Sequence, residues 1–111
     1  MSEANTFGSA IAEKRKALRL NQKELARRVL KEDGTPITPQ YLNDIEHDRR
    51  SPSSDHMVGQ FAQALELDPD YLSVLAGKVP EDIRRAAAAP ERVSQAMLAF
   101  RKALGVPQGK P

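Results

Sequence analysis

The sequence predicts an all-α chain: a small five-helix domain followed by one or two further helices. Three observations predict it. Every apolar segment recurs at helical spacing, and none alternates as a half-buried strand does. The segments are separated by cap and turn signals at Asn21, Thr38-Pro39, Ser53-Ser54 and Asp68-Pro69. The chain has 111 residues, 40% of them hydrophobic but only three Phe and two Tyr, which suits one small domain with a mostly aliphatic core.

The first helix runs from about Phe7 to Leu20. Phe7, Ile11 and Leu18, with the small Ala10 and Ala17, fall on one face, and Lys14, Lys16 and Arg19 lie outside it. Asn21 stops this helix and starts the second, NQKELARRVL. Asn21 and Glu24 have the capping-box spacing, in which each side chain meets the other residue's backbone N–H. Leu25, Ala26, Val29 and Leu30 form the buried stripe.

KEDGTPI is a loop, marked by Asp-Gly and Pro in a short window. Thr38 is a good N-cap, and Pro39 suits the first helical turn because the N–H it lacks has no partner there. The third helix therefore spans about Pro39 to His47, with Leu42 and Ile45 inward. After RRSPSSD, Ser53 or Ser54 caps a fourth helix that reaches Leu65, with Met57 or Val58, Phe61, Ala62 and Leu65 inward. Asp68-Pro69 repeats the cap-plus-proline pattern and opens a fifth, closed by Gly77.

Beyond Gly77 the character changes, which divides the chain into 1–77 and 78–111. VPEDIRRAAAAP reads as one short helix ended by Pro90. ERVSQAMLAFRKAL reads as another, closed by Gly105, and the terminal VPQGKP as frayed. Val93, Met97, Phe100 and Leu104 are spaced four, three and four, a narrow heptad-like seam.

Composition excludes several classes. With no Cys, disulfides and thiolate metal sites are absent, which fits a reducing cytoplasm. No apolar run approaches the roughly 18 residues of a membrane span, and the N-terminus lacks a signal peptide's basic start and apolar centre. His47 and His56 are the only histidines and show no HExxH spacing, so they are read as surface residues and no metal or other cofactor is expected. Ser, His and Asp occur near one another around residues 47–56, but without a nucleophile elbow or Gly-rich loop, so no enzyme is expected. Net charge is +2, yet residues 1–30 hold seven Lys/Arg against three Asp/Glu, a basic third that suits a polyanionic partner.

The second and third helices, joined by a loop and with the later one short and polar outside, have the outline of a DNA-reading helix pair. FGSAIAEKRKALRLNQKELARRV, ITPQYLNDIEHDRRSPS and FAQALELDPDYL closely resemble regulators of the phage-repressor and Cro type of helix-turn-helix, over roughly residues 6–77. The carrying motifs are Asn-Gln-x-Glu-Leu-Ala (Asn21 to Ala26), Leu-x-x-Ile-Glu (Leu42 to Glu46), Arg-x-x-Pro (Arg49 to Pro52) and Ala-x-x-Leu-x-Leu (Ala62 to Leu67).

The resemblance implies a five-helix fold whose third helix enters the major groove of double-stranded DNA. Thr38, Pro39, Gln40, Tyr41, Asn43 and Asp44 would then stand at the base edges. Gln40 suits a bidentate contact with adenine N6 and N7, Asn43 is the second candidate for the same contact, and Asp44 suits a cytosine N4 donor. Tyr41 suits a thymine methyl or a phosphate. Pro39 departs from the polar residue usual at its place and leaves a rigid apolar contact. Gln22 is implied as a phosphate contact that also braces the recognition helix, with simple capping as the other reading. Arg49 and Arg50, with Lys23 beside them, are implied phosphate contacts. Arg15 and Glu46 sit where the family places a partly buried ion pair. LKEDGTPI is about six residues longer than the usual turn, and Ile37 would anchor its end.

These readings together predict a sequence-specific regulator without a catalytic step. It would be a repressor binding a palindromic operator as a dimer, with its own promoter one candidate target, in the cytoplasm and nucleoid of a bacterium or phage-infected host. The Val93–Leu104 seam suits packing on the domain, homodimerisation, or a protein partner such as a toxin or antirepressor. The alternative function is accordingly an antitoxin or other interaction module on the same fold.

Overall fold

The computed structural model describes residues 6–52, 54–87 and 89–107, so Ser53 and residues 108–111 of the expected frayed end lie outside it. The chain divides into two compact units, one running to Val79 and the other starting at Pro80. Among the described residues the first unit holds five helices: α1 (Phe7–Ala17), α2 (Gln22–Arg28), α3 (Pro39–Glu46), α4 (Asp55–Leu65) and α5 (Pro69–Leu75). The second holds α6 (Glu81–Ala86) and α7 (Pro90–Ala103).

In the first unit α3 packs on α1 and α2, and α4 packs on α1, α2 and α5. Ile11, Leu25, Val29, Leu42, Ile45, Phe61, Leu65 and Leu72 have no exposed surface. Phe7 meets Phe61 edge-on, with ring centroids 5.6 Å apart. Each such side chain contributes about 1.5–3 kcal/mol by leaving water. Ile37 is buried at the end of the long loop, as expected.

The helix starts follow the caps. Asn21 accepts from the Glu24 N–H while Glu24 accepts from the Asn21 N–H. Thr38, Ser54 and Asp68 each accept from a backbone N–H of the helix they precede.

The helix ends come earlier than the apolar spacing suggests. α1 stops at Ala17 because Arg19 turns left-handed, at φ 61°. The Leu20 N–H then bonds the Arg15 carbonyl and the Arg19 N–H that of Lys16, which closes the helix. Ala17 is thereby exposed rather than buried, and Leu18 is half-buried against the core. α2 stops at Arg28 because Val29 becomes extended and accepts from the Ile37 N–H. Leu30, expected in the buried stripe, is half-buried and bridges antiparallel to Pro36. α6 ends at Ala86, short of Pro90, which instead begins α7. The residue before a proline is pushed out of the helical region, and Ala89 is accordingly extended.

α7 closes on Gly105, whose φ of 80° lets Val106 bond back to the Arg101 carbonyl. None of its residues is buried, and Val93, Met97, Phe100 and Leu104 are 37%, 41%, 43% and 64% exposed.

Candidate nucleic-acid interface

α3 is held from behind by charge and from the side by close backbone contact. Its inward residues are Leu42, Ile45 and Glu46. Glu46 is the buried charged residue of the first unit, and Arg15 from α1 grips it with two hydrogen bonds, Nε to Oε2 at 2.6 Å and Nη2 to Oε1 at 3.0 Å. Arg15 also donates from Nη1 to the Leu20 carbonyl at 2.9 Å. The guanidinium therefore ties the end of α1 to α3, and the side chains remain only 11% and 3% exposed.

Gln22, the first residue of α2, joins this pair. Its Nε2 donates to Glu46 Oε1 at 2.9 Å and to Asn43 Oδ1 at 3.1 Å. Both protons of the amide point at α3, which is the geometry of a brace. Lys23 beside it is exposed.

The outward residues of α3 form a second polar set. Thr38 uses its hydroxyl oxygen to cap the Tyr41 N–H, and Pro39 stands exposed at the first helical position. Gln40 is exposed and donates from Nε2 to Asp44 Oδ1 at 3.1 Å. The same oxygen receives Arg49 through Nε at 3.3 Å and Nη2 at 3.2 Å. Arg49 thus offsets the carboxylate charge on this exposed face. Arg50 stacks over the Tyr41 ring, 5.2 Å from its centroid. His47 donates from Nδ1 to the Asn43 carbonyl at 2.9 Å.

Asp48 and Gly8 belong to the same support, a role that the sequence did not suggest for either. Asp48 turns left-handed after α3, at φ 58°. Its Oδ2 accepts from the Thr6 hydroxyl at 2.8 Å and its Oδ1 from the Gly8 N–H at 3.1 Å, so it caps α1 from 40 residues away. A Cβ on Gly8 would lie 2.6 Å from Asp48 Oδ1, 2.7 Å from the Glu46 carbonyl, and closer still to that of Ile45. Only glycine allows this approach of α1 to the end of α3. One signal was available: α1 has no acidic residue in its first turn, so its free N–H groups need a carboxylate from elsewhere.

The long loop is folded rather than open. Lys31 N–H donates to the Thr35 carbonyl and Gly34 N–H to that of Lys31, both at 2.8 Å, with Gly34 at φ 88°. Gln60 and His56 from α4 hold the Leu30 backbone, and Ser54 donates to Glu32 Oε2 at 2.9 Å. Hydrogen bonds favour the charged form of both loop carboxyls and hold them below the ordinary carboxylate range, Glu32 chiefly through Ser54 and Asp33 through the backbone and hydroxyl of Thr35. Among the described residues no group of His, Asp and Glu could hold a metal ion, and no helix is long and apolar enough to cross a membrane.

This arrangement, a capped α2, a turn and an α3 presenting a polar outer face, coincides with the comparison against protein families. The helix-turn-helix family model matches residues 11–72, more than half of the chain. The chain belongs to the helix-turn-helix family, of the phage-repressor type. It is a DNA-binding transcriptional regulator. No curated protein and no solved structure matches it significantly. The helix-turn-helix match runs from Ile11 on α1 to Leu72 on α5, and thus takes in the α2–α3 pair and the enlarged turn between them.

Proposed function

We propose that this regulator is a repressor that binds a palindromic operator as a dimer and acts by occluding the promoter, its own included. The observation that carries the reading is the division of α3. Its inner side is locked by Arg15, Glu46 and Gln22, while Gln40 and Pro39 stand exposed at its N-terminal end. Such a helix can present a fixed set of side chains to the major groove. Thr38, Pro39, Gln40, Tyr41, Asn43 and Asp44 face the base edges, and Asp44 keeps Oδ2 for a cytosine N4 donor. Arg49, Arg50 and Lys23 meet phosphates. With both amide protons of Gln22 turned inward, a phosphate contact there falls to its backbone N–H.

One recognition helix covers few base pairs, so a twofold partner is needed for an operator-length site. The residues from 78 onward supply it, through the exposed seam Val93, Met97, Phe100 and Leu104. The same exposure favours a second reading, an antitoxin or related module whose α7 holds a toxin or antirepressor.

Duplex binding at graded salt tests the proposal. Binding should weaken steeply as salt rises, because counterions are released. Gln40→Ala should lose about 1–3 kcal/mol of discrimination at one base pair, and Arg50→Ala should weaken all duplexes alike. Failure to retard any duplex from its own upstream region at low salt ends the autoregulatory reading. A chain that sediments as a monomer at tens of micromolar ends the dimer reading. Co-purification of a neighbouring gene product, abolished by deleting residues 90–111, would establish the antitoxin reading instead.

A further inference from the structure

We infer that Asp44 is a positioning residue that sets which base Gln40 selects: its Oδ1 holds the Gln40 amide by the nitrogen, so that Gln40 takes adenine and discriminates against guanine. The inference rests on the proposed docking of α3 in the major groove. It deepens that reading, because Asp44 then acts on a base pair through Gln40 as well as by any contact of its own.

Gln40 and Asp44 lie four residues apart on α3, one turn above the other. Asp44 Oδ1 accepts from Gln40 Nε2 at 3.1 Å. It also receives Arg49, through Nε at 3.3 Å and Nη2 at 3.2 Å. A carboxylate paired with a guanidinium only accepts, so the end of the amide that faces it is the nitrogen. The opposite orientation would set the amide oxygen against a negative charge. The anchor is the better sheltered of the two, since the Asp44 side chain is 24% exposed while Gln40 is an exposed residue.

What the amide has left decides its preference. One proton of Nε2 is engaged, and Oε1 and the second proton remain. Adenine offers a donor at N6 and an acceptor at N7, which one oxygen and one proton satisfy. Guanine offers acceptors at both O6 and N7. Two full hydrogen bonds to them need both protons of the amide, and one of these would have to leave a charged acceptor. A Gln40 released from Asp44 has no such bond to break. The cost therefore falls on guanine and spares adenine.

The test starts from a random duplex pool enriched by the wild-type chain, followed by a panel with each position of the enriched site varied. The base pair whose preference Gln40→Ala flattens is the one that Gln40 reads, and the wild-type chain should prefer adenine there. At this pair Asp44→Ala should lower the adenine-to-guanine affinity ratio by about fivefold. Asp44→Asn, which keeps the shape and loses the charge, should move the ratio the same way, because an amide can hold either end of Gln40. With Gln40→Ala already in place, Asp44→Ala should leave the ratio at this pair unchanged. The inference is overturned if the wild-type chain prefers another base at the Gln40 pair, or if both Asp44 variants move the ratio by less than about twofold. It is overturned equally if they weaken every duplex by one factor, or if their effect persists in the Gln40→Ala background. A cytosine preference lost only at a different pair leaves Asp44 as a direct reader and removes the positioning role. A wild-type chain that enriches no sequence, or a Gln40→Ala chain that keeps every preference, overturns the docking reading itself.

Discussion

Arg15 and Glu46 close on each other with two parallel hydrogen bonds, and through them α1 and α3 share one buried charge pair. Removing one partner strands the other in a site that excludes water. Arg15→Ala should destabilise the first unit by about 3–5 kcal/mol, measured by urea unfolding. The double variant Arg15→Met, Glu46→Leu should be less destabilised than either single change, since no uncompensated charge remains. A loss under about 1 kcal/mol for Arg15→Ala would show the pair to be solvated.

The contact of Gly8 with the end of α3 leaves no room for a methyl group. Gly8→Ala should cost about 1–3 kcal/mol, because the backbone atoms it meets cannot turn aside as a side chain can. Asp48→Ala loses the bonds to Thr6 and Gly8 and keeps the left-handed backbone, whereas Asp48→Gly loses only the bonds. Thermal unfolding should therefore rank Asp48→Ala below Asp48→Gly, and the reverse order would remove Asp48's backbone conformation from the account.

Glu66 ends α4 at φ 58° and ψ 41°, a conformation that glycine adopts without strain. Glu66→Gly should stabilise by about 0.5–1 kcal/mol. That raises Tm by several degrees, at about 4–8 °C per kcal/mol for a domain of this size. Arg19→Gly should act in the same direction, while Glu66→Ala should give no gain.

Acid should loosen the 31–37 loop. Glu32 and Asp33 are held below their ordinary values of 4.5 and 3.8, chiefly by the Ser54 hydroxyl and by Thr35. A depressed carboxyl stabilises the folded form above its ordinary value, and that contribution is lost as pH falls through the lowered value. Amide exchange at Gly34 and Thr35, corrected for intrinsic rates, should show loss of protection on the acid side of this window only. Protection that stays constant through the acid range would show that these carboxyl bonds do not hold the loop.

What could be read from the sequence was local chemistry. Asn21, Thr38 and Asp68 mark helix starts because each cap bonds a backbone group two or three residues away. Leu25, Leu42, Ile45 and Phe61 are buried because helical spacing sets them on one side. Helix ends were less legible, since Arg19, Asp48 and Glu66 occupy left-handed positions usually signalled by glycine. The support of the recognition helix was legible only in part. Arg15 and Glu46 came from family resemblance, but Gly8 and Asp48 acquire their roles through contacts 40 residues apart. The direction of the Gln22–Asn43 bond follows from a third side chain, and no spacing rule contains it.

The outward and inward halves of α3 also differ in how freely they can be exchanged. Gln40 hangs on one exposed bond and Pro39 on none that involves the core, so new residues at these two places need no change in the scaffold. Asn43 is coupled to Gln22, and through it to Glu46 and Arg15, so a change at that position disturbs the supports of α3 as well. Descendants of this chain can therefore vary freely at the tip of the helix and only in concert with its supports at the middle.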